Sequence, residues 1–365
     1  MAILLFFLII IVLVTVHELG HFIAAKRAGI RVDEFGIGFP PRAKTLFVRD
    51  GTKYTLNWLP FGGFVKIYGE NPEEVGEEDK KVALVSKSKL VQAWVLFAGV
   101  FFNIILAWVL FSVAFMNGVP ASERDYPSET LQNTELLILD VVPRSAAALA
   151  GIEAGDVIRE VKGKDIVLDG VITPEALQEI VKNSDGAPLD IVVDHKGTER
   201  SVSVLPSIVG EGKEAILGIS MDRVGTIHYG FFRAFEKGAV RTVGSLKETA
   251  VGLGTLLRDA VLGKADLDSV AGPVGLVGVV GQAYSFGLSD LLYLIAIISI
   301  NLAIINLIPF PALDGGRLFF LLIEAIKRSP IKPNIAGIIN TIGLVLLILL
   351  MLVVTYHDIT KLVVN

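Results

Sequence analysis

Two histidines and a glutamate fall within five residues of one another in the run His17-Glu18-Leu19-Gly20-His21. On a helix, residues four apart lie one turn above each other on the same face, so two imidazole nitrogens can grip one zinc ion while the intervening carboxylate reaches its bound water. Zinc lowers the pKa of that water to about 7, and the carboxylate can take its proton as hydroxide attacks a carbonyl. Two histidines leave such an ion short of a third protein ligand. Asp314 is the best-placed candidate, in the run Asn306-Leu307-Ile308-Pro309-Phe310-Pro311-Ala312-Leu313-Asp314-Gly315-Gly316, where two prolines break a helix and two glycines follow. Broken backbone at membrane depth persists only where it is buried in protein or lines a wet cavity. Taken alone, Asp314 would read as no more than a cap on the helix that follows. The remaining histidines, His195, His228 and His357, read as surface residues in polar or interfacial sequence.

The elements that would carry these residues are set by composition. Of 365 residues, 52% are hydrophobic and only 19% charged, and the mean hydropathy of +0.62 lies outside the usual soluble range. A net charge of −5 gives no basic footprint for nucleic acid. The absence of cysteine excludes disulfides and thiolate metal sites. Four stretches, at about 2–23, 91–116, 291–310 and 335–356, are long and apolar enough to span a bilayer as helices. The first has no Lys or Arg ahead of it and no small-residue cleavage site after it, so it reads as a retained span rather than a signal peptide. Two histidines and a glutamate at the end of a spanning helix are costly in lipid, and residues of that kind are functional by default.

Lys and Arg concentrate in 26–89 and again between Arg317 and Lys332. By the positive-inside rule both connections are cytoplasmic, which puts the N-terminus and the long stretch 117–290 outside. About 135–225 has short β-rich runs with one helical pattern, Pro174 to Asn183, and reads as a soluble α+β module. Residues 229–262 alternate Phe231, Phe235, Val240 and Leu246 with Arg233, Lys237, Arg241 and Lys247. This amphipathic pattern suits a helix lying on a membrane surface, or equally one packed on the soluble module. The acidic run Glu73, Glu74, Glu77, Glu78 and Asp79 reads as a solvated loop.

At this point the chain resembles the site-2 protease family, in particular the bacterial regulator-of-sigma-E protease group. Beyond His17 to His21, the resemblance rests on Phe35-Gly-Ile-Gly-Phe-Pro40, Leu59-Pro-Phe-Gly-Gly-Phe-Val-Lys66, Ala98-Gly-Val-Phe-Phe-Asn103, Ala271-Gly-Pro-Val-Gly275 and the Asn306 to Gly315 run. It implies an intramembrane zinc-dependent endopeptidase with one Zn2+ ion on His17, His21 and Asp314, and Glu18 as general base. Asn306 would hold substrate or the developing oxyanion, or else satisfy carbonyls freed by Pro309 and Pro311. The implied fold is a polytopic α-helical membrane protein of four transmembrane helices, with a membrane-associated β-hairpin and an inserted α+β PDZ domain. Its parts are a membrane core over 1–116 and 291–365, the PDZ domain at 130–225, and an amphipathic helix with a Gly-Pro-Val-Gly loop at 226–290.

Ser145 to Ile158 resembles a PDZ sequence. Leu217-Gly218-Ile219 resembles the loop that captures a peptide C-terminus, though the domain could serve instead as a steric filter. Tyr54 to Tyr68 resembles the family's hairpin, with Gly62 and Gly63 near its bend, whose edge could pair with a substrate segment and hold it extended. An ordinary cytoplasmic hairpin remains the plain alternative. The implied partners are membrane lipid and a single-span membrane protein, of anti-sigma-factor or remnant-signal-peptide type, and the implied place is the cell inner membrane. Two rival classes are a catalytically inactive scaffold with a peptide-binding module and a zinc transporter. Intact His17, Glu18, His21 and Asp314 speak against the first, and the lack of further intramembrane ligands against the second.

Overall fold

The structure, a computed structural model, describes residues 1–70, 75–124, 126, 129–163, 166–195, 197–209, 214–264 and 272–364. Glu73 and Glu74 of the acidic run, Lys196 and Ala271 lie outside the described residues. The chain runs α1 (Ala2–Arg27), β1 (Val32–Arg49), β2 (Thr52–Ile67) and α2 (Lys89–Asn117). A β-rich segment follows: β3 (Val119–Ser122), β4 (Gln132–Val141), α3 (Ala146–Leu149), β5 (Val157–Lys162), β6 (Val167–Asp169), α4 (Pro174–Asn183), β7 (Leu189–His195), β8 (Thr198–Val204), β9 (Ser207–Val209), β10 (Glu214–Ile216) and β11 (Ile219–Ile227). It closes with α5 (Phe231–Val261), α6 (Pro273–Phe286), α7 (Leu288–Leu307), α8 (Asp314–Lys327) and α9 (Pro333–Val364). Two compact units result, one of 1–116 with 230–365 and one of 117–229.

In the first unit α1, α2, α7 and α9 are long and apolar enough to cross a membrane. Helix α1 continues to Arg27, past the apolar run, because Lys26 and Arg27 suit the negative end of the helix dipole. Phe6, Ile9 and Leu13 of α1 pack with Val280 of α6 and Leu291 of α7. Lower on α1, Ala24 and Ala25 meet Val32, Ile67 and Val95.

The β-structure beside α1 is larger than the stretch from Tyr54 to Tyr68. Its tight turn is Asp50–Gly51, both at positive φ (48° and 76°), the Asp-Gly form that matches the twist of paired strands. Strands β1 and β2 pair antiparallel, and Glu34, Phe35, Gly36 and Ile37 are paired on both flanks, with 63–66 and with 53–56. Strand β2 therefore doubles back around the start of β1, and Gly62, at φ +74°, sits in that reversal.

Helix α5 docks on α2 and α7, where the sequence pattern left a membrane surface or the soluble module as its support. What it buries is small or polar: Ala234, Gly238, Thr242 and Ser245. A Cβ on Gly238 would collide with the Ser112 hydroxyl of α2, Trp108 Nε1 donates to the Phe235 carbonyl at 2.8 Å, and Thr249 Oγ1 donates to Asn301 Oδ1 of α7 at 3.0 Å. Phe232, Val240, Val243 and Val251 face outward. Small residues at the seam and apolar ones outside are the order expected of a helix among membrane helices.

The second unit is a sheet ordered β3-β11-β4-β5-β7-β8, with β6 on the flank of β5. Its core joins Leu136, Ile138, Ile158, Val161, Ile191 and Val193 to Leu177, Ile180 and Val181 of α4. Helix α4 begins as its sequence dictates, with Pro174 in the first turn and the Thr173 hydroxyl accepting from the Ala176 amide at 3.2 Å. That N-cap is worth about 1 kcal/mol. His195, expected as a plain surface residue, bonds the fully buried Asp156 at 2.6 Å. Burial pushes the Asp156 carboxyl up, but the Glu153 amide, the Arg200 guanidinium and His195 together hold it below the usual carboxylate range.

Candidate active site

The C-terminal half of α1 buries a stripe of His17, Gly20, His21 and Ala24. Residues spaced by three and four share one helical face, and here that face meets α2. A Cβ on Gly20 would collide with the Ala98 carbonyl, so the two helices touch backbone to backbone. Gly99, the next residue of α2, faces the imidazoles: a Cβ there would collide with His21 Nε2 and stand 2.7 Å from His17 Nε2. Gly99→Ala is therefore expected to lower bound metal roughly tenfold or more, read as metal content of the purified protein. A variant with full metal content would show that the seam can widen.

The first ring is oriented by Asn103 of α2, whose side-chain amide lies 3.2 Å from His17 Nδ1. Asn103 is fully buried, and its Oδ1 has no partner among the described residues. With the amide turned so that Oδ1 in place of Nδ2 faces the ring, Oδ1 accepts from the His17 Nδ1–H and Nε2 keeps a free lone pair. The second ring donates from Nδ1 to the Val95 carbonyl at 2.8 Å. A carbonyl can only accept, so His21 Nε2 likewise carries a lone pair.

Asp314 arrives from the other half of the chain. Ser299 Oγ of α7 donates to the Asn103 carbonyl at 2.8 Å, tying α7 to α2 at the level of His17. Helix α7 ends at Leu307, the chain turns through Pro309 and Pro311, and Asp314 opens α8. Ala312 holds φ +72° in that turn, and its amide donates to Asn340 Oδ1 of α9 at 3.2 Å. A Cβ on Gly315 would collide with the Leu307 and Ile308 carbonyls, and one on Gly316 with that of Phe310. Only glycines let α8 start this close to the turn.

The three groups meet at one point. Asp314 Oδ2 lies 2.9 Å from His17 Nε2 and 3.2 Å from His21 Nε2, and the two Nε2 atoms are 3.2 Å apart. Ligands on a tetrahedral ion at 2.0–2.1 Å are separated by about 3.3 Å, so these atoms outline one face of such a site. Two nitrogen lone pairs and a carboxylate oxygen aimed at each other repel unless a proton or a metal cation lies between them. The donor set therefore fits a divalent metal, and among the described residues it is the one such cluster of three or more ligand-type side chains. Glu18 is half-buried beside it, accepts a hydrogen bond from the Val65 backbone amide, and interacts electrostatically with His21 and Asp314. Gly63 of β2 is also its neighbour: a Cβ there would lie 3.8 Å from Glu18 Cγ.

A profile of peptidase family M50 matches residues 5–350. The chain belongs to that family. It is 30% identical to the zinc metalloprotease RasP of Oceanobacillus iheyensis, over 98% of each chain. It is also 30% identical to the zinc metalloprotease RasP of Geobacillus kaustophilus, over 96% of this chain and 95% of that one. With four helices of membrane-spanning length and composition, this M50 peptidase is a multi-pass membrane protein.

Asn306 is half-buried in the last turn of α7, separated from Asp314 by the proline-containing turn. Leu217, Gly218 and Ile219 edge a groove of about 470 Å3 between α4 and β11, with Leu177, Val181 and Met221 on its walls. Gly218 has φ +75° and packs against Ser145, and β3 covers only Val224 to Ile227 of β11. Gly99 and Asn103 belong to the Ala98 to Asn103 run, where the sequence alone assigns neither a role. An asparagine amid a long apolar helix was the available signal, since such a group in a membrane needs a purpose.

Proposed function

We propose that this M50 peptidase is an intramembrane zinc endopeptidase that cuts single-span membrane proteins, of anti-sigma-factor or remnant-signal-peptide type. His17, His21 and Asp314 hold the ion and Glu18 is the general base. The observation that carries this reading is the triangle of ligand atoms 2.9, 3.2 and 3.2 Å apart, with Glu18 beside it. The names of both RasP relatives agree with zinc and with proteolysis.

Zinc held there supplies Lewis acidity, lowering the pKa of water to about 7 and polarising a carbonyl. The protein's own part follows from its geometry. Glu18 takes a proton from the attacking water as oxygen bonds to the carbonyl carbon. It then returns that proton to the amide nitrogen as the C–N bond breaks, so no proton is gained or lost. The Val65 amide holds the Glu18 carboxylate in place. Helical backbone shields its carbonyls, so the substrate must be extended, and the β2 segment that passes Glu18 at Gly62 and Gly63 offers an edge to pair with it. Asn306 is assigned to substrate or oxyanion contact.

The Lys- and Arg-rich connections, taken as cytoplasmic, support an orientation with the N-terminus and the stretch 117–290 on the extracytoplasmic side of the inner membrane. The groove of the second unit is assigned as a PDZ-type site for a free C-terminus: the exposed part of β11 would pair with the peptide, and Leu217 to Ile219 would take the carboxylate. Full-length protein should bind a peptide with an apolar C-terminal residue, and Met221→Asp should abolish binding; equal binding by both rejects that site. The peptidase itself is tested by incubating zinc-loaded protein in detergent with tagged single-span polypeptides. Cleavage that Glu18→Gln lacks supports the reading, and intact substrates throughout a varied panel would argue for a scaffold.

A further inference from the structure

Thr15 stands one turn ahead of Glu18 on α1, and its hydroxyl oxygen is buried with no hydrogen-bond partner among the described residues. Three residues apart on a helix, the two side chains share a face. A helical threonine has a partner within easy reach, because its hydroxyl can turn back to the carbonyl four residues earlier. Thr242 of α5 does so, donating to the Gly238 carbonyl at 2.8 Å, and Thr341 of α9 donates to the Gly337 carbonyl at 2.9 Å. Thr15 leaves that option unused. Its oxygen lies beside β2, where a Cβ on Gly63 would stand 3.9 Å from it. An unpaired hydroxyl away from water destabilises the fold that holds it. A group kept in that state calls for a reason outside the folded chain.

The surroundings supply one. The same Cβ on Gly63 would stand 3.8 Å from Glu18 Cγ, so one residue without a side chain covers both the hydroxyl and the general base. Glu18 already has a main-chain partner in the Val65 amide, two residues farther along β2. Any movement that admits a peptide to Glu18 past Gly63 uncovers Thr15 as well. Along the helix axis the two residues lie about 4.5 Å apart, which is one to two residues of an extended chain. A hydroxyl both donates and accepts, so it can meet either the N–H or the carbonyl of a peptide group.

We propose that Thr15 is a substrate-binding residue of the peptidase site: its hydroxyl hydrogen-bonds a main-chain peptide group one or two residues from the bond to be cut, holding the extended chain beside Glu18. This rests on the role given to Glu18 above. A purely structural threonine would behave in the opposite way. Valine has nearly the same shape and lacks the hydroxyl. Where the hydroxyl serves the fold, valine destabilises the protein. Where it serves the substrate, valine removes an unpaired polar group, so the folded protein loses nothing while substrate binding suffers.

The experiment uses full-length protein in detergent: wild type, Thr15→Val and Thr15→Ser, each made also in the Glu18→Gln background. Melting temperature, zinc retention against a chelator, and kcat and KM on a tagged single-span polypeptide are measured. Binding of the same polypeptide, fluorescently labelled, is measured in the Glu18→Gln proteins. Thr15→Val should melt at or above the wild-type temperature and hold zinc as wild type does. Its KM should rise about 5- to 10-fold with kcat little changed, the loss of one hydrogen bond made to the substrate, and binding should weaken by the same factor. Thr15→Ser should recover most of that loss. A lower melting temperature in Thr15→Val would make the hydroxyl a structural group, and wild-type KM and binding would leave it no substrate to meet; either result overturns the proposal alone. Neither cleavage by wild type nor binding by Glu18→Gln would count against the peptidase reading and remove this proposal with it.

Discussion

Glu18→Gln is expected to lower turnover by about 10²- to 10⁴-fold, the usual contribution of a positioned general base, while zinc content stays at the wild-type level. The substituted amide has the shape of the carboxylate, and its oxygen can still accept from the Val65 amide. It cannot accept a proton from water near neutral pH. The three converging side chains His17, His21 and Asp314 are untouched, since Glu18 is not one of them. Cleavage rate and metal analysis on the same preparation separate the two effects. Turnover within a few-fold of wild type would place the base elsewhere, and loss of zinc would make Glu18 a structural residue of the site.

Asp314→Ala should remove both zinc and activity, and added zinc should restore neither. The variant keeps His17 and His21, whose Nε2 atoms are 3.2 Å apart, but two protein ligands fall short of the three that catalytic zinc sites use. A chelator acting on wild type should also abolish cleavage, with the difference that zinc then restores it. Because the carboxylate belongs to α8 and the imidazoles to α1, losing it also removes one contact between the two halves of the first unit. Wild-type zinc affinity in the Asp314→Ala protein, by competition with a chromogenic chelator, would remove Asp314 from the ligand set.

The His17 to His21 run and the four long apolar helices were legible because each is a local pattern, a single-turn repeat or an uninterrupted apolar stretch. Helix ends were less so: α7 starts at Leu288, a turn before its apolar run, and ends at Leu307, ahead of Pro309. The docking of α5 was hidden by its chemistry. An amphipathic reading assumes that the apolar face is the buried one, whereas Ala234, Gly238, Thr242 and Ser245 are buried here and give no hydrophobic signal. The extent of the β-structure has one local marker in the sequence, the Asp50–Gly51 turn. Contacts such as Asn340 with Ala312, or Arg317 with Glu70, join residues far apart in the chain, and no local pattern announces them.

The hydrogen bond from Val65 to Glu18 also bears on how a cut position could be chosen. A strand laid along the edge of β2 beside Glu18 would find the Val65 donor already taken. The added strand would have to leave one of its carbonyls unpaired there, beside the carboxylate, while its neighbours on either side are gripped. Selection of the bond would then follow from a gap in the ladder rather than from a side-chain pocket, making the enzyme sensitive to register and tolerant of sequence. Substituting the residue that follows Phe64 would alter packing but leave that gap intact, because the donor belongs to the main chain.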